Sequence, residues 1–410
     1  MQVLSLIFVE SSRKEDARRL ALMCSFFRDI TQGLPQLFRA ITITTRPLRS
    51  EPPDSVFGLY FYRIRSSDHL SALLERTMET TLAISIDFPS YGTLDSKQQR
   101  EATSMLSTLC RHSDRWEILE ILFGWDVIDW REMLLGPLEK LRRLSLSTDS
   151  QPIMETMMHW LLQVHVPHVE PDDERQLKTP SKASRSFGIR DLTLKYGDFA
   201  SIEVDSMGQL LSACHSLRSL HIWGGYADFS EVITLNSLTE LTLCSEIPLS
   251  CLQTPALTHL TLDEQVWIGE DEFTLSYPPL SRLSVTSRTP QELFKRLHVP
   301  TCDVLFLNSA KSEVDDSSGS WIEDFSGIKA RIVIIHHAPF PEATFISMLR
   351  TMSGTLEELE LVGVGIESEF IDLFSKRDQC VQTVREFRFR NRQYQRWIWT
   401  PSVGWKFLGM

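Results

Sequence analysis

A short apolar phrase, L-x-x-L-x-L, returns through this chain at intervals of roughly 19 to 28 residues, and a sequence built on such a phrase has few folds open to it. The phrase reads SLRSLHI with Leu217, Leu220 and Ile222; SLTELTL with Leu238, Leu241 and Leu243; ALTHLTL with Leu257, Leu260 and Leu262; and PLSRLSV with Leu280, Leu283 and Val285. Copies with more drift are KLRRLSL (Leu141, Leu144, Leu146), GIRDLTL (Ile189, Leu192, Leu194), TCDVLFL (Cys302, Leu305, Leu307), TLEELEL (Leu356, Leu359, Leu361) and TVREFRF (Val384, Phe387, Phe389). RWEILEI (Trp116, Leu119, Ile121), KARIVII (Ala330, Val333, Ile335) and the stretch around Ile84 and Ile86 keep the spacing more weakly.

Side chains alternate along a strand with period two, so the second and third apolar residues of each phrase point the same way from one short strand. One unit cannot bury that face alone. Stacked units can, at about 1.5 to 3 kcal/mol for each fully buried Leu or Ile. Between phrases the period becomes helical: Met207, Leu210, Leu211 and Cys214 share one face, as do Phe345, Met348, Leu349 and Met352. Thr289 and Pro290 make a favoured helix start, whereas CSEIPLSCLQTPA leaves room only for a turn. The whole resembles leucine-rich repeats. The expected fold is α/β: a solenoid with parallel strands on its concave side, helices and turns on its convex side, and a short helical N-terminus. An ordinary Leu-rich sheet is the alternative. The Asn or Cys that commonly follows each phrase is replaced by Gly225, Glu246, Gln265, Arg288 and Val364. The shortened intervals predict uneven curvature, and the missing ladder argues against a regular horseshoe and resembles the degenerate, variable-length repeats found behind F-box domains.

In residues 1–45, Leu20, Met23, Cys24, Phe27 and Ile30 form an apolar stripe backed by Arg18, Arg19 and Arg28. Any repeat array needs such a cap against solvent. The segment also resembles an F-box of the basidiomycete fungal kind. Val3, Leu4, Ile7 and Phe8 match its first helix, Ala21 to Ile30 a helix usually written V-C-x-x-W-R-x-I, and Leu34-Pro35-Gln36-Leu37-Phe38 a closing T-P-x-L-W. Phe27 and Phe38 stand where the family usually has Trp, and the family's opening Leu-Pro-x-Glu would precede Met1. The expectation is therefore either a longer natural chain or a shortened box. The resemblance implies a surface for a Skp-type adaptor formed by Leu4, Ile7, Phe8, Leu22, Cys24, Phe27, Leu34, Pro35, Leu37 and Phe38.

Net charge of -12 argues against general nucleic-acid binding, which rests on neutralising phosphates. Seven cysteines, odd in number and never spaced C-x-x-C, look like small apolar residues in a reducing compartment. The opening MQVLSLIF lacks the basic flank of a signal peptide, and no run approaches about 18 apolar residues. The expected location is cytoplasmic or nuclear, away from membranes. His165 and His168 lack further ligands of metal spacing, and His336 and His337 are adjacent, so no metal site is expected. Without a phosphate loop or nucleophile motif, neither cofactor nor enzymatic activity is expected. Residues 167–187, rich in Pro, Ser and mixed charge, read as a mobile loop with Thr179, Ser181, Ser184 and Ser186 as phosphorylation candidates.

Residues alternating with the buried ones should face outward along the strand row of the solenoid, taken as 46–395. Lys195, His221, Trp223, Glu240, His259, Asp263, Arg282, Arg388 and Arg390 are the candidate target-binding residues, with Trp223 as anchor unless the GGYADF loop covers it. Residues 396–410, with Trp397, Trp399 and Trp405, read as an aromatic cap on the last repeat, although interleaved Arg and Trp also suit bases or a phosphopeptide. Taken with the resemblance, these features imply a substrate-recognition subunit of an SCF-type cullin ubiquitin ligase, binding the Skp adaptor, a cullin and an unknown protein target, as a monomer within that complex. A repeat scaffold without a ubiquitin role is the other expectation.

Overall fold

A computed structural model describes residues 39–44, 62–64, 66–88, 96–123, 135–148, 150–163, 187–197, 204–226, 232–246, 249–263, 275–287, 297–308, 328–337, 342–363, 368–376, 378–390 and 395–409. The protein is α/β, with a large, mostly parallel sheet and few helices, and it divides into two compact units, Met1–Leu217 and Arg218–Met410.

The first unit contains β1 (Ala40–Thr44), β2 (Tyr62–Ile64), β3 (Leu82–Phe88), β4 (Trp116–Phe123), β5 (Arg143–Thr148) and β6 (Asp191–Tyr196), ordered β2-β1-β3-β4-β5-β6 and all parallel. The weakly spaced copies at Ile84 and Trp116 are therefore strands like the rest. Register puts like on like: Ile41, Ile84, Leu119, Leu144 and Leu192 form one row and Ile43, Ile86, Ile121, Leu146 and Leu194 another. Every one of these side chains is fully buried. Helices fill the intervals: α1 (Ser67–Thr77), α2 (Ser96–Cys110), α3 (Gln151–Gln163) and α4 (Val204–Ala213). Ala102, Met105, Leu106, Leu109 and Cys110 give α2 its buried stripe at the helical period. Ser66 caps α1, its Oγ accepting from the His69 N–H. At the other end of α1 the buried Arg115 donates from Nε to the Thr80 carbonyl at 3.1 Å and from Nη2 to Thr77 Oγ1 at 2.6 Å. Its cation lies where a helix C-terminus favours one.

In the second unit the long strands are β7 (Ser219–Tyr226), β9 (Glu240–Glu246), β11 (His259–Leu262), β13 (Leu280–Thr286), β15 (Thr301–Asn308), β16 (Lys329–His336), β17 (Glu358–Val362) and β18 (Glu386–Arg390), each parallel to the next. Short strands intervene: β8 (Ile233–Thr234) pairs with β10 (Leu252–Gln253), and β12 (Leu275–Ser276) with β14 (Leu297–His298). CSEIPLSCLQTPA thus supplies more than a turn, namely a 3-10 turn at Leu249–Cys251 and β10. Thr289 and Pro290 lie outside the described residues. Among the described residues two helices follow, α5 (Glu342–Thr351), which buries Met348 and Leu349, and α6 (Ser368–Lys376), which buries Phe374; the Phe345 side chain lies outside the described set. The buried row runs Leu220, Leu241, Leu260, Leu283, Leu305, Val333, Leu359 and Phe387. Antiparallel β19 (Arg396–Thr400) and β20 (Gly404–Gly409) close the sheet order, with Phe374 stacked on Phe387 at 4.7 Å and meeting the Trp399 and Trp405 rings edge-on.

A backbone device stands where an asparagine ladder was not to be found. Before five of the strands a tight turn closes with an N–H to C=O bond three residues back: Leu141 to Leu138, Leu217 to Cys214, Leu238 to Leu235, Leu257 to Thr254 and Val384 to Val381, all at 3.0–3.2 Å. The residue or two after the turn then donate to the preceding phrase, as Thr239 does to the Arg218 carbonyl at 2.9 Å and Thr258 to Thr239 at 2.9 Å. In the expected loop 167–187, Phe187 is a correction: it is buried, and its N–H donates to the Ala213 carbonyl at 2.8 Å. The rest of that segment lies outside the described residues. No helix among the described residues is long and apolar enough to cross a membrane.

Leu241→Ala, which empties a fully buried site, is expected to cost about 2–5 kcal/mol in urea unfolding, whereas Glu240→Ala next to it should stay within about 0.5 kcal/mol. Gly363→Ala should cost about 1–3 kcal/mol in the same assay, since φ is +68° and the added Cβ would lie 2.6 Å from His337 Nδ1.

Candidate functional site

The outward side of the second unit's sheet carries the only target-binding candidates that share one unit. Lys195 belongs to the first, half-buried on β6 opposite Ser147. There the outward positions Thr42, Ser85, Glu120, Ser145 and Thr193 are buried, while the paired Arg143 is exposed and Asp191 half-exposed. In the second unit the outward positions form three rows that cross the strands. Ser219, Glu240, His259, Arg282, Val304, Ile332, Glu358 and Glu386 make the first; His221, Thr242, Thr261, Ser284, Phe306, Ile334, Glu360 and Arg388 the second. Thr286, Asn308, His336, Val362 and Arg390 belong to the third, with Trp223 beside Cys244 at its start.

The first sector, β7 to β13, is polar. Ser219 Oγ lies 3.3 Å from Glu240 Oε2 and 2.8 Å from His221 Nε2. Glu240 can only accept, so Ser219 donates to it and accepts from His221 Nε2–H. A nucleophile needs the opposite order, with the base taking the serine proton. Trp223, the expected anchor, is half-buried; its ring meets His221 edge-on with centroids 6.4 Å apart, and it stands opposite Cys244 in register. Burial pushes the Cys244 thiol up to about 12, the Asp263 carboxylate adding to the rise and the neighbouring Trp223 indole opposing it. Glu240, His259 and Arg282 are exposed, and His259 Nδ1 lies 2.9 Å from Thr258 Oγ1.

The middle sector was invisible to a search for polar candidates. On β15 and β16 the outward positions are Val304, Phe306, Ile332 and Ile334, all half-exposed. The signal was present in the runs VLFL and IVII, which are apolar without alternation and so belong to strands apolar on both faces. The third sector, β17 and β18, is acidic: Glu358, Glu360 and Glu386 surround Arg388. Arg388 Nε donates to Glu386, and Nη1 lies 3.5 Å from Glu360. The Glu386 bond, with the surrounding carboxylates, raises the guanidinium pKa against the opposing effect of its burial. Arg388 is therefore committed within the sheet, and Arg390 is half-buried beside Val362 in register. Where the two sectors meet, Val304, Ile332, Ile334, Glu358, Leu359, Glu360, Glu386 and Arg388 line a depression of about 180 Å³. The His336 and Phe306 rings meet edge-on with centroids 5.0 Å apart, and among the described residues no group of three or more His, Cys, Asp and Glu is placed to hold a metal.

The adaptor-binding candidates Leu4, Ile7, Phe8, Leu22, Cys24, Phe27, Leu34, Pro35, Leu37 and Phe38 all lie outside the described residues. No protein-family model matches this chain, and no curated protein matches it in sequence.

Burial lowers the His336 pKa, with His337 adding to the drop and Glu360 opposing it. The unfolded chain then binds the proton more readily, so stability should fall as pH drops below about 6.5. Urea midpoints taken between about pH 7.5 and 5.5 should decline, and His336→Gln should flatten part of that slope; an unchanged slope would show that His336 contributes nothing.

Proposed function

We propose that this chain is the substrate-recognition subunit of an SCF-type cullin ubiquitin ligase. Residues 1–45, which resemble an F-box, would hold a Skp-type adaptor and through it a cullin, and the strand rows would hold a protein target. The repeated strand-and-turn units are read as degenerate leucine-rich repeats forming a solenoid. What supports a binding role is the second unit's outward face: eight parallel strands in register present side chains graded from polar to apolar to acidic, a surface too long and too varied for a small ligand. Such a subunit acts by proximity, bringing a target lysine to ubiquitin charged elsewhere in the complex, and performs no chemistry itself.

Co-purification of the tagged chain with Skp adaptor and cullin tests this against a Cys24, Phe27 and Leu37 triple-Ala variant. Capture of both partners by the wild type and loss of both by the folded variant is the expected result. Failure of the folded wild type to capture an adaptor that binds a control F-box would replace the ligase with a repeat scaffold.

A further inference from the structure

We propose that the depression across β15 to β18 receives a segment of a partner protein that carries a large apolar side chain and, about two to four residues away, a Lys or Arg. This rests on the reading of the second unit's outward face as the target surface, and it names what that surface recognises.

The argument begins with the apolar residues. Val304, Phe306, Ile332 and Ile334 occupy the outward positions of two adjacent strands and are only half-covered, whereas the flanking outward positions are polar or charged. Four large apolar groups side by side in an otherwise polar row make a compact site for one apolar anchor, ringed by groups that remain wet.

Charge then selects the neighbour of that anchor. Three carboxylates, Glu358, Glu360 and Glu386, line the depression against one guanidinium, Arg388. Arg388 is held by Glu386 and by Glu360 at 3.5 Å, and Glu358 has no ion pair or hydrogen bond among the described residues. The rim is therefore short of positive charge. It repels phosphate groups and attracts Lys or Arg. On the opposite side of the apolar pair, Arg282 pairs in register with Val304 and lies exposed, so the two flanks differ in sign and fix the direction in which a segment lies.

Spacing sets the motif. Neighbouring strands are about 4.8 Å apart, so the middle of the apolar pair and the middle of the acidic pair are separated by about 10 Å. An extended segment crossing the strands rises about 3.3 Å per residue and covers that distance in about three residues, the length of a Lys or Arg stem widening the range to two or four.

The test is selection of a random peptide library on the immobilised full chain, on Ile334→Asp and on Glu358→Lys, with circular dichroism to establish that each is folded. The expected outcome is enrichment of peptides pairing Leu, Ile, Phe or Trp with Lys or Arg at that spacing. A labelled copy of the most enriched peptide should bind each variant about tenfold more weakly or worse. Selection on Glu358→Lys should turn from basic to neutral or acidic partners, a result that carries the test even if Ile334→Asp fails to fold. No enrichment over a bare surface, or peptides that bind both variants as well as the wild type, would overturn the proposal. A wild-type dimer that Ile334→Asp dissociates would overturn it in favour of a second copy of this chain. Because the selection uses no adaptor, adaptor capture without peptide enrichment would remove this site alone, and enrichment without adaptor capture would remove the ligase role and leave the site.

Discussion

Everything in this protein depends on parallel strands meeting with their buried residues in the same register. A slip of one residue would turn every outward side chain inward and every leucine out. With Leu220, Leu241, Leu260 and Leu283 stacked in one fully buried row, such a slip would expose several large apolar groups at once, each worth about 1.5 to 3 kcal/mol. The same lock that builds the core therefore dictates the outward face: Ser219, Glu240, His259 and Arg282 are neighbours because the leucines beside them are.

The two units use this lock differently. In the first, the outward positions between the leucine rows are small or polar and buried, with Glu120 among Ser85, Ser145 and Thr193. In the second they range from the buried Thr242 and Ser284 to the exposed Glu240, His259 and Arg282, and they change character along the row, through two strands that are apolar on both faces to a strand pair rich in carboxylates. The apolar stretch is thermodynamically costly to leave in contact with water, and the acidic edge confines what can relieve that cost.

The repeated strands were legible in the sequence, including the weak copies at Ile84, Trp116 and Ala330, because burial demands an apolar residue at fixed spacing whatever else drifts. The helical intervals around Met207 and Met348 followed from a change of period. The outward surface was legible only in part. Its polar members could be read off by alternation, but Val304, Phe306, Ile332 and Ile334 lie inside runs where alternation vanishes, and a continuous apolar run does not say which of its residues face the core. Trp223 illustrates the converse: its position in the row was readable, whereas its place beside Cys244 arises between strands and depends on register. Phe187 was misplaced because its polar neighbours set the composition of the window, while a single backbone bond to Ala213 and a buried ring set its structure.

The turns that precede several strands are tied to the preceding phrase by main-chain N–H groups, which every residue but proline can supply, with the Thr239 and Thr258 hydroxyls donating to the same carbonyls. An asparagine ladder would tie each unit to a particular side chain; here the main-chain bond forms whatever the residue, and a hydroxyl such as that of Thr239 or Thr258 only adds to it. Lineages carrying such a scaffold can rewrite their turns, and much of the surface between them, while the strands stay in step. Distant relatives of this chain should then resemble it in backbone path long after their residues have ceased to agree.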